Sequence, residues 1–244
     1  MNYTAAQCSL QGGRAYNEDT ICCLPAGKGL IALVADGLGG HGGGGDASAV
    51  AAESVVTAFV KRPQVEEAFL TALIKDANRA VLQQQTPEVL MKSTLAAFFS
   101  DGSNWASVHV GDSRLYHFHN CCLRFQTTDH SVSQMAVLAG EITKNQIRGH
   151  ADRNKLVRAL GGDKDVTPEI TIFDAPLSAD DAVLLCTDGF WELILEEEMA
   201  FELSKASTPE QWLNGMLMRI GGRMGERSDN LSAVALFFYS SEMD

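Results

Sequence analysis

Residues 29–46 read GLIALVADGLGGHGGGGD, and this stretch decides the fold. From Gly29 to Ala35 no residue is charged, and Leu, Ile, Val and Ala fill six of the seven positions. No polar residue alternates with the apolar ones, so the run predicts a strand buried on both faces. It ends at Asp36, and seven of the ten residues from Asp36 to Gly45 are glycine. Glycine at this density lets the main chain come close to a ligand. It either cradles phosphate with N–H groups or offers a carbonyl, such as that of Gly37, to a cation. The loop has neither GxxxxGK[ST] nor a GxGxxG context with a ribose acid, which leaves a nucleotide fold unsupported. A flexible connection is the bland alternative. The following DASAVAAESVVTAFVK is helical, with Asp46 as cap and Ala49, Ala52, Val56 and Phe59 near helical spacing.

Working outward, an aspartate at the end of an apolar run returns three times. Asp112 stands in WASVHVGDSR, Asp188 in AVLLCTDGFWE and Asp229 in ERSDNLSAVALFF. A further acidic cluster, Asn17-Glu18-Asp19, follows Arg14. Each aspartate alone reads as a turn or cap, and GDSR as a hairpin. Four together imply strand ends that meet, with something cationic holding like charges in one place. Oxygen ligands of this kind suit a hard metal ion. Arg14 is either half of a surface ion pair or a fork-shaped clamp for phosphate oxygens.

The remaining elements are strands over 3–9 and 19–24, a second helix over 65–84, and strands over 93–100, Trp105–Val110 and 113–119, with a short CCLRFQ strand. Residues 129–165 are polar, with helical pieces near 132–139 and 154–159. A strand over 170–174, the AVLLCT strand, helices over 195–204 and Pro209–Gly221 and a last strand over Leu231–Tyr239 complete the chain. Strands and helices do not alternate, which argues against a doubly wound parallel sheet. The expected class is α+β, with mostly antiparallel sheets stacked on each other and helix pairs outside.

The 244 residues suit one domain, expected to span 1–244. A net charge of −12 makes nucleic acid and anionic membrane surfaces poor partners. No stretch approaches the roughly 20 apolar residues of a membrane span. The N-terminus has neither the basic start nor the apolar core of a signal peptide, so the expected location is the cytoplasm. Six cysteines (8, 22, 23, 121, 122 and 186) contain no CxxC and read as reduced, mostly buried small hydrophobes. Adjacent Cys22 and Cys23 on a strand point to opposite faces. No HExxH or GxSxG occurs, so neither a histidine-rich catalytic zinc site nor a hydrolase elbow is indicated.

The motifs, taken in order, resemble the metal-dependent Ser/Thr protein phosphatases of type 2C in their compact bacterial form. Arg14-Ala-Tyr-Asn17-Glu18-Asp19 is similar to the family's RxxNED, and Val34-Ala-Asp36-Gly37-Leu38-Gly39-Gly40-His41 to its VADGMGGH. Gly111-Asp112-Ser113-Arg114 matches its GDSR turn. Thr128-Asp129-His130-Ser131 through Gly161 resembles the segment holding its flap, here around 129–165. Cys186-Thr187-Asp188-Gly189 and Asp229-Asn230 complete the series. Lys92-Ser93-Thr94 replaces the usual Gly-Thr-Thr, and Gly45 stands where Glu is common.

The resemblance implies a four-layer α-β-β-α sandwich with the site at one end between the sheets. It implies two Mn²⁺ or Mg²⁺ ions, bridged by Asp36, with the Gly37 carbonyl on one and Asp188 and Asp229 on the other. Glu18 and Asp19 orient bound waters or complete a shell. Asp112 joins Asp188 in a third, weaker site. Arg14 grips the substrate phosphate, and hydroxide held between the ions attacks phosphorus. Eukaryotic relatives carry a histidine two residues after the bridging aspartate. Leu38 stands there here, and His41 is the nearest candidate for general acid. The implied partners are phosphoproteins, including a bacterial Ser/Thr kinase that the enzyme opposes, and the implied state is a monomer. The complete acidic set and Arg14 argue against a fold kept only for docking.

Overall fold

A computed structural model describes residues 2–39 and 43–239. In it the run that opens the sequence analysis lies inside an eleven-residue strand. The chain runs β1 (Asn2–Leu10), β2 (Asp19–Ala26), β3 (Gly29–Gly39), α1 (Gly43–Lys61), α2 (Glu67–Gln84), β4 (Met91–Ser93), β5 (Leu95–Ser100), β6 (Trp105–Val110), β7 (Arg114–His119) and β8 (Cys122–Gln126). Then come α3 (Val132–Leu138), a 3-10 turn (Lys144–Gly149), β9 (Glu169–Phe173), β10 (Asp181–Cys186), α4 (Asp188–Trp191), α5 (Glu196–Leu203), α6 (Pro209–Gly221) and β11 (Leu231–Tyr239). One sheet has the order β1-β11-β10-β7-β8. The other is β2-β3-β5-β6-β9, with β4 paired to the far end of β3. The pairings are antiparallel.

The unbroken apolar run of β3 is explained by what covers each face. Ile31, Leu33 and Ala35 point to Val55, Phe59 and Ile74 of the α1–α2 pair. Leu30, Ala32 and Val34 point the other way, to Leu185 of β10 and to Val234 and Leu236 of β11. The outer face of the first sheet repeats the device, with Leu184, Cys186 and Ala235 under Trp212 and Met216 of α6. Each of the Val, Leu and Ile side chains among these contributes roughly 1.5–3 kcal/mol when fully buried. A strand with two buried faces uses every residue for this, so the expected α-β-β-α layering follows from the period of the pattern.

Four local expectations need correction. The predicted strand over 93–100 is two strands broken at Thr94, because Thr94 leaves the ladder to bond Asp36. The predicted helical piece over 154–159 is extended. Leu156 bridges to Ser131, Leu160 to Ser93, and Val157 N–H donates to the His130 carbonyl, so tertiary pairing takes the bonds a helix needs. α1 begins at Gly43, which puts Asp46 inside the first turn rather than at the cap. The cysteines are free, but only Cys186 is fully buried and Cys122 is exposed. Cys22 and Cys23 do face opposite cores. Among the described residues no helix is long and apolar enough to cross a membrane.

Candidate active site

The sequence-predicted acids meet at one end of the cleft between the sheets. A cavity of about 840 Å³ there is lined by Arg14, Glu18, Asp36, Gly37, Asp112, Asp188 and Asp229, with Tyr16 at its mouth and Asn154 and Leu156 of the flap across it. Asp19 lies directly opposite Asp36 in the β2–β3 register, so the two side chains share one face of the sheet, although Asp19 does not line the cavity. The second sheet supplies Asp36 and Asp19. The first supplies Asp188, just beyond β10, and Asp229, just before β11. Asp112 sits in the turn from β6 to β7. That turn is not a hairpin, since β6 belongs to one sheet and β7 to the other. His41 lies outside the described residues.

Backbone and second-rank side chains fix each acid. Asp36 N–H donates to Thr94 Oγ1 at 2.9 Å, and Thr94 Oγ1 also bonds Ser113 Oγ at 2.7 Å, tying β3 to the Asp112 turn. Asp188 Oδ1 accepts from Gly189 N–H at 2.6 Å, and Asp229 Oδ1 from Asn230 N–H at 2.8 Å. Thr187 Oγ1 donates to Asp19 Oδ2 at 3.0 Å. Asn230 closes the floor: its Oδ1 accepts from Glu18 N–H at 2.9 Å, and its amide donates to the carbonyls of Gln11 and Tyr16. Gly44 is required as glycine, because a Cβ there would stand 2.6 Å from the Gly37 carbonyl oxygen and 2.7 Å from Glu18 Oε1. Arg14 Nη2 donates to Asp229 Oδ2 at 2.5 Å from a half-exposed position at the rim. Both roles considered for Arg14 are therefore open to it geometrically.

Bringing these groups together is electrostatically unfavourable. Burial pushes Asp36 well above the usual carboxylate range, and Asp188, Asp19, Asp112 and Asp229 push it further. Asp188 is raised in the same way, first by burial, then by Asp112 and Asp229. Asp112 is held at about 7 by burial and by Asp129, against the pull of Arg114. Asp19 is held at about 6, mostly by burial, with bonds from Ser232 and Thr187 opposing. Like charges directly opposite across a sheet are destabilising. This arrangement asks for counter-charge that one rim arginine does not supply.

Divalent cations fit that demand. Glu18 Oε1 and Asp19 Oδ1 are buried side-chain oxygens with no hydrogen-bond partner. Orphaned acceptors of this kind are rare, and here they sit beside the carboxylates. The donor set is all oxygen, which suits Mg²⁺ or Mn²⁺ over zinc. A tighter group of metal-type side chains, His109, His130 and Glu169, lies elsewhere. It does not suit an ion. The two imidazoles are stacked 4.6 Å apart at 9°, so their lone pairs lie in separate parallel planes. His130 Nδ1 accepts from Gly111 N–H, and its Nε2 is flanked by Arg158 Nη1 at 3.0 Å and Glu169 Oε2 at 3.5 Å, so neither ring nitrogen is left free for an ion. Burial lowers both histidines, His130 to about 3, so the pair is neutral and structural.

Sequence reasoning placed Thr94, Thr187, Asn154 and Asn230 within motifs but gave them no bonding or lining role, and it missed Leu156. Their partners are distant in the chain, and no local pattern signals them.

A family profile described as Protein phosphatase 2C matches residues 12–218. The chain is 32% identical over 213 residues to the serine/threonine phosphatase stp of Listeria monocytogenes, covering 84% of this chain and 82% of that protein. It is 32% identical over 231 residues to the serine/threonine protein phosphatase PstP of Mycobacterium tuberculosis, covering 91% of this chain but 42% of that longer protein. The crystal structure of the PstP catalytic domain in complex with two manganese ions superimposes with a TM-score of 0.83 at 28% identity, covering 98% of this chain and 99% of that one.

Proposed function

The chain belongs to the protein phosphatase 2C family, and we propose that it hydrolyses phosphoserine and phosphothreonine in proteins with two bound Mn²⁺ or Mg²⁺ ions. The observation that carries this reading is the convergence of Asp36, Asp188 and Asp229 on one cavity beside two buried, unpartnered carboxylate oxygens. Asp36, through its carboxylate, and Gly37, through its carbonyl, would hold the ions from one sheet, and Asp188 and Asp229 from the other. Glu18 and Asp19 have free buried oxygens that would accept hydrogen bonds from water at that centre. Asp112 with Asp188 would make a weaker third site. When bound, such a pair lowers the pKa of a water and offsets charge on the attacking and leaving oxygens.

The other steps belong to the chain itself. Arg14 leaves Asp229 and turns its fork to two phosphate oxygens, orienting phosphorus toward the carboxylate floor. Leu156 and Asn154 of the flap cover the cavity and reduce access of bulk water. His41, three residues beyond Leu38, is the nearest sequence candidate for giving a proton to the leaving oxygen.

On this reading the chain is one catalytic domain over 1–244 with its flap around 129–165, working as a monomer on phosphoproteins that include a Ser/Thr kinase. Six free cysteines suit the reducing cytoplasm, where we place it. The test is hydrolysis of p-nitrophenyl phosphate with Mn²⁺, with and without chelator. Turnover is expected to disappear with chelator and to fall nearly to background in Asp36→Asn and Asp229→Asn. Full turnover in chelator, or in either variant, overturns the reading.

A further inference from the structure

A second crevice, of about 210 Å³, opens where the flap meets the α5 side of the molecule. α3 and the 3-10 turn form one wall, β7 and β8 the floor, and the start of α5 the other wall. We infer that it binds a small oxyanion, carboxylate or phosphate, in the space between Arg114, Gln134, Lys144 and Arg148.

The argument is a count of hydrogen-bond donors. Arg114 is almost wholly buried, and a guanidinium has five N–H donors. It gives Nε and Nη2 to the two Asp129 oxygens at 2.7 Å each, and Nη1 to Tyr116 Oη at 3.0 Å. Two N–H groups remain, and Nη1 also lies 3.6 Å from Glu196 Oε1, too long for a hydrogen bond. Arg148 donates Nε to the Trp191 carbonyl and Nη2 to the Ile194 carbonyl and Glu196 Oε1. Its Nη1 has no partner among the described residues. Gln134 is 5% exposed and lines the crevice. Its main-chain N–H bonds Ser131 Oγ, but its side-chain amide has no protein partner among the described residues. Lys144 stands at the rim, also without an ion pair among them.

The acceptors do not match this supply. Glu196 Oε1 is already shared by Arg148 at 2.9 Å and Tyr116 Oη at 3.4 Å, and Glu197 is on the exposed rim. Formal charges nearly balance once Asp129, which clasps Arg114, is included. The imbalance is therefore in hydrogen bonding. Arg148 Nη1 and the Gln134 amide are not among the buried unpartnered atoms, so they open into the crevice, where a ligand rich in acceptors can engage them in place of water. The space exceeds the roughly 30 Å³ share of a single water, and an oxyanion can engage several of these donors at once. Such an occupant would reach the catalytic end through few contacts. The Arg114 guanidinium lies 3.4 Å from the Trp191 ring, and Trp191 Nε1 donates to the Asp112 carbonyl at 2.9 Å. It would also join the 3-10 turn of the flap to the floor.

This inference does not rest on the phosphatase reading, and its test measures no turnover. The whole chain, kept in chelator, is titrated calorimetrically with inorganic phosphate and separately with malonate. An Arg14→Ala background removes the rim cation of the aspartate cavity. Saturable one-to-one binding of either probe is expected to persist in that background and to weaken about tenfold or more in Gln134→Glu and in Lys144→Glu. The better probe identifies the oxyanion class. Lys144 is exposed, so its variant keeps the test valid if the Gln134 variant does not fold. No saturable binding of either probe overturns the inference. So does binding that Arg14→Ala abolishes while the Gln134 and Lys144 variants retain it.

Discussion

Asp36→Asn is expected to make the protein more stable in chelator and less stable in Mn²⁺, a reversal that follows from the register of β2 on β3. Asp19 and Asp36 are direct cross-strand partners, and Asp188, Asp112 and Asp229 add to the repulsion on Asp36. Carboxylates about 5 Å apart repel by about 3 kcal/mol at an effective dielectric near 20. The isosteric amide removes that term and the burial of one charge. Allowing for relaxation, a gain of about 2 kcal/mol at pH 8 corresponds to a Tm increase of about 4–8 °C. Mn²⁺ acts in the opposite direction. An ion at a hundred times its Kd stabilises by about 2.7 kcal/mol, and on the proposed reading the variant, lacking the Asp36 carboxylate, forgoes most of it.

The pH dependence has a definite sign. Asp36 and Asp188 are raised, and Asp19 is held at about 6 against an ordinary 3.8. Raised acids favour the fold only below their unfolded-state values. Their contribution is therefore lost as pH rises from near 4 through the folded values. For Asp19 alone the loss is about 3 kcal/mol by pH 7. In chelator the native chain should thus gain Tm from pH 8 down to pH 5, and the advantage of the variant should shrink over the same range. Thermal melts followed by circular dichroism, with chelator and with MnCl₂, decide the matter. A variant less stable than the native chain in chelator at pH 8, or one equally stabilised by Mn²⁺, refutes the reasoning.

Three further outcomes are expected. Arg14→Ala should raise KM for a phosphopeptide by about 10- to 100-fold, the loss of one charge-assisted contact, and an unchanged KM would remove Arg14 from the clamp role. Asp112→Asn should leave two Mn²⁺ sites on calorimetry while lowering turnover. Loss of the two strong sites would show that Asp112 belongs to them. Gly44→Ala should lower Mn²⁺ affinity despite a helix-propensity gain of about 1 kcal/mol, because overpacking against the Gly37 carbonyl and Glu18 costs about 1–3 kcal/mol. Native-like affinity on calorimetry would show that the loop has slack.

The layering was legible because β3, β10 and β11 carry unbroken apolar runs over 30–35, 182–186 and 233–238, as a strand covered on both faces requires. The acids were legible because each interrupts such a run. The flap segment over 154–159 was not. Its residues accept a helix, and only the bridges to Ser131 and Ser93, set by partners far along the chain, make it extended. Thr94 is a similar case: a hydroxyl inside an apparent strand gives no sign that it will leave the ladder to hold Asp36 and Ser113 together. The GDSR motif was correctly read as a break between two strands but not as a crossing to the opposite sheet, since turn chemistry is local and sheet membership is not.

Phe98, Trp105 and Phe238 interlock between the sheets, with Phe98 5.6 Å from Trp105 and 5.9 Å from Phe238 between ring centroids. The separation of the two leaves, and hence the span between Asp36 on one and Asp188 and Asp229 on the other, is gauged by aromatic carbon rather than by the acids themselves. A trimmed ring in that spacer would yield a chain that still folds yet grips its ions loosely. An inactivating lesion in this molecule need not touch its chemistry; it can simply change the thickness of the filling.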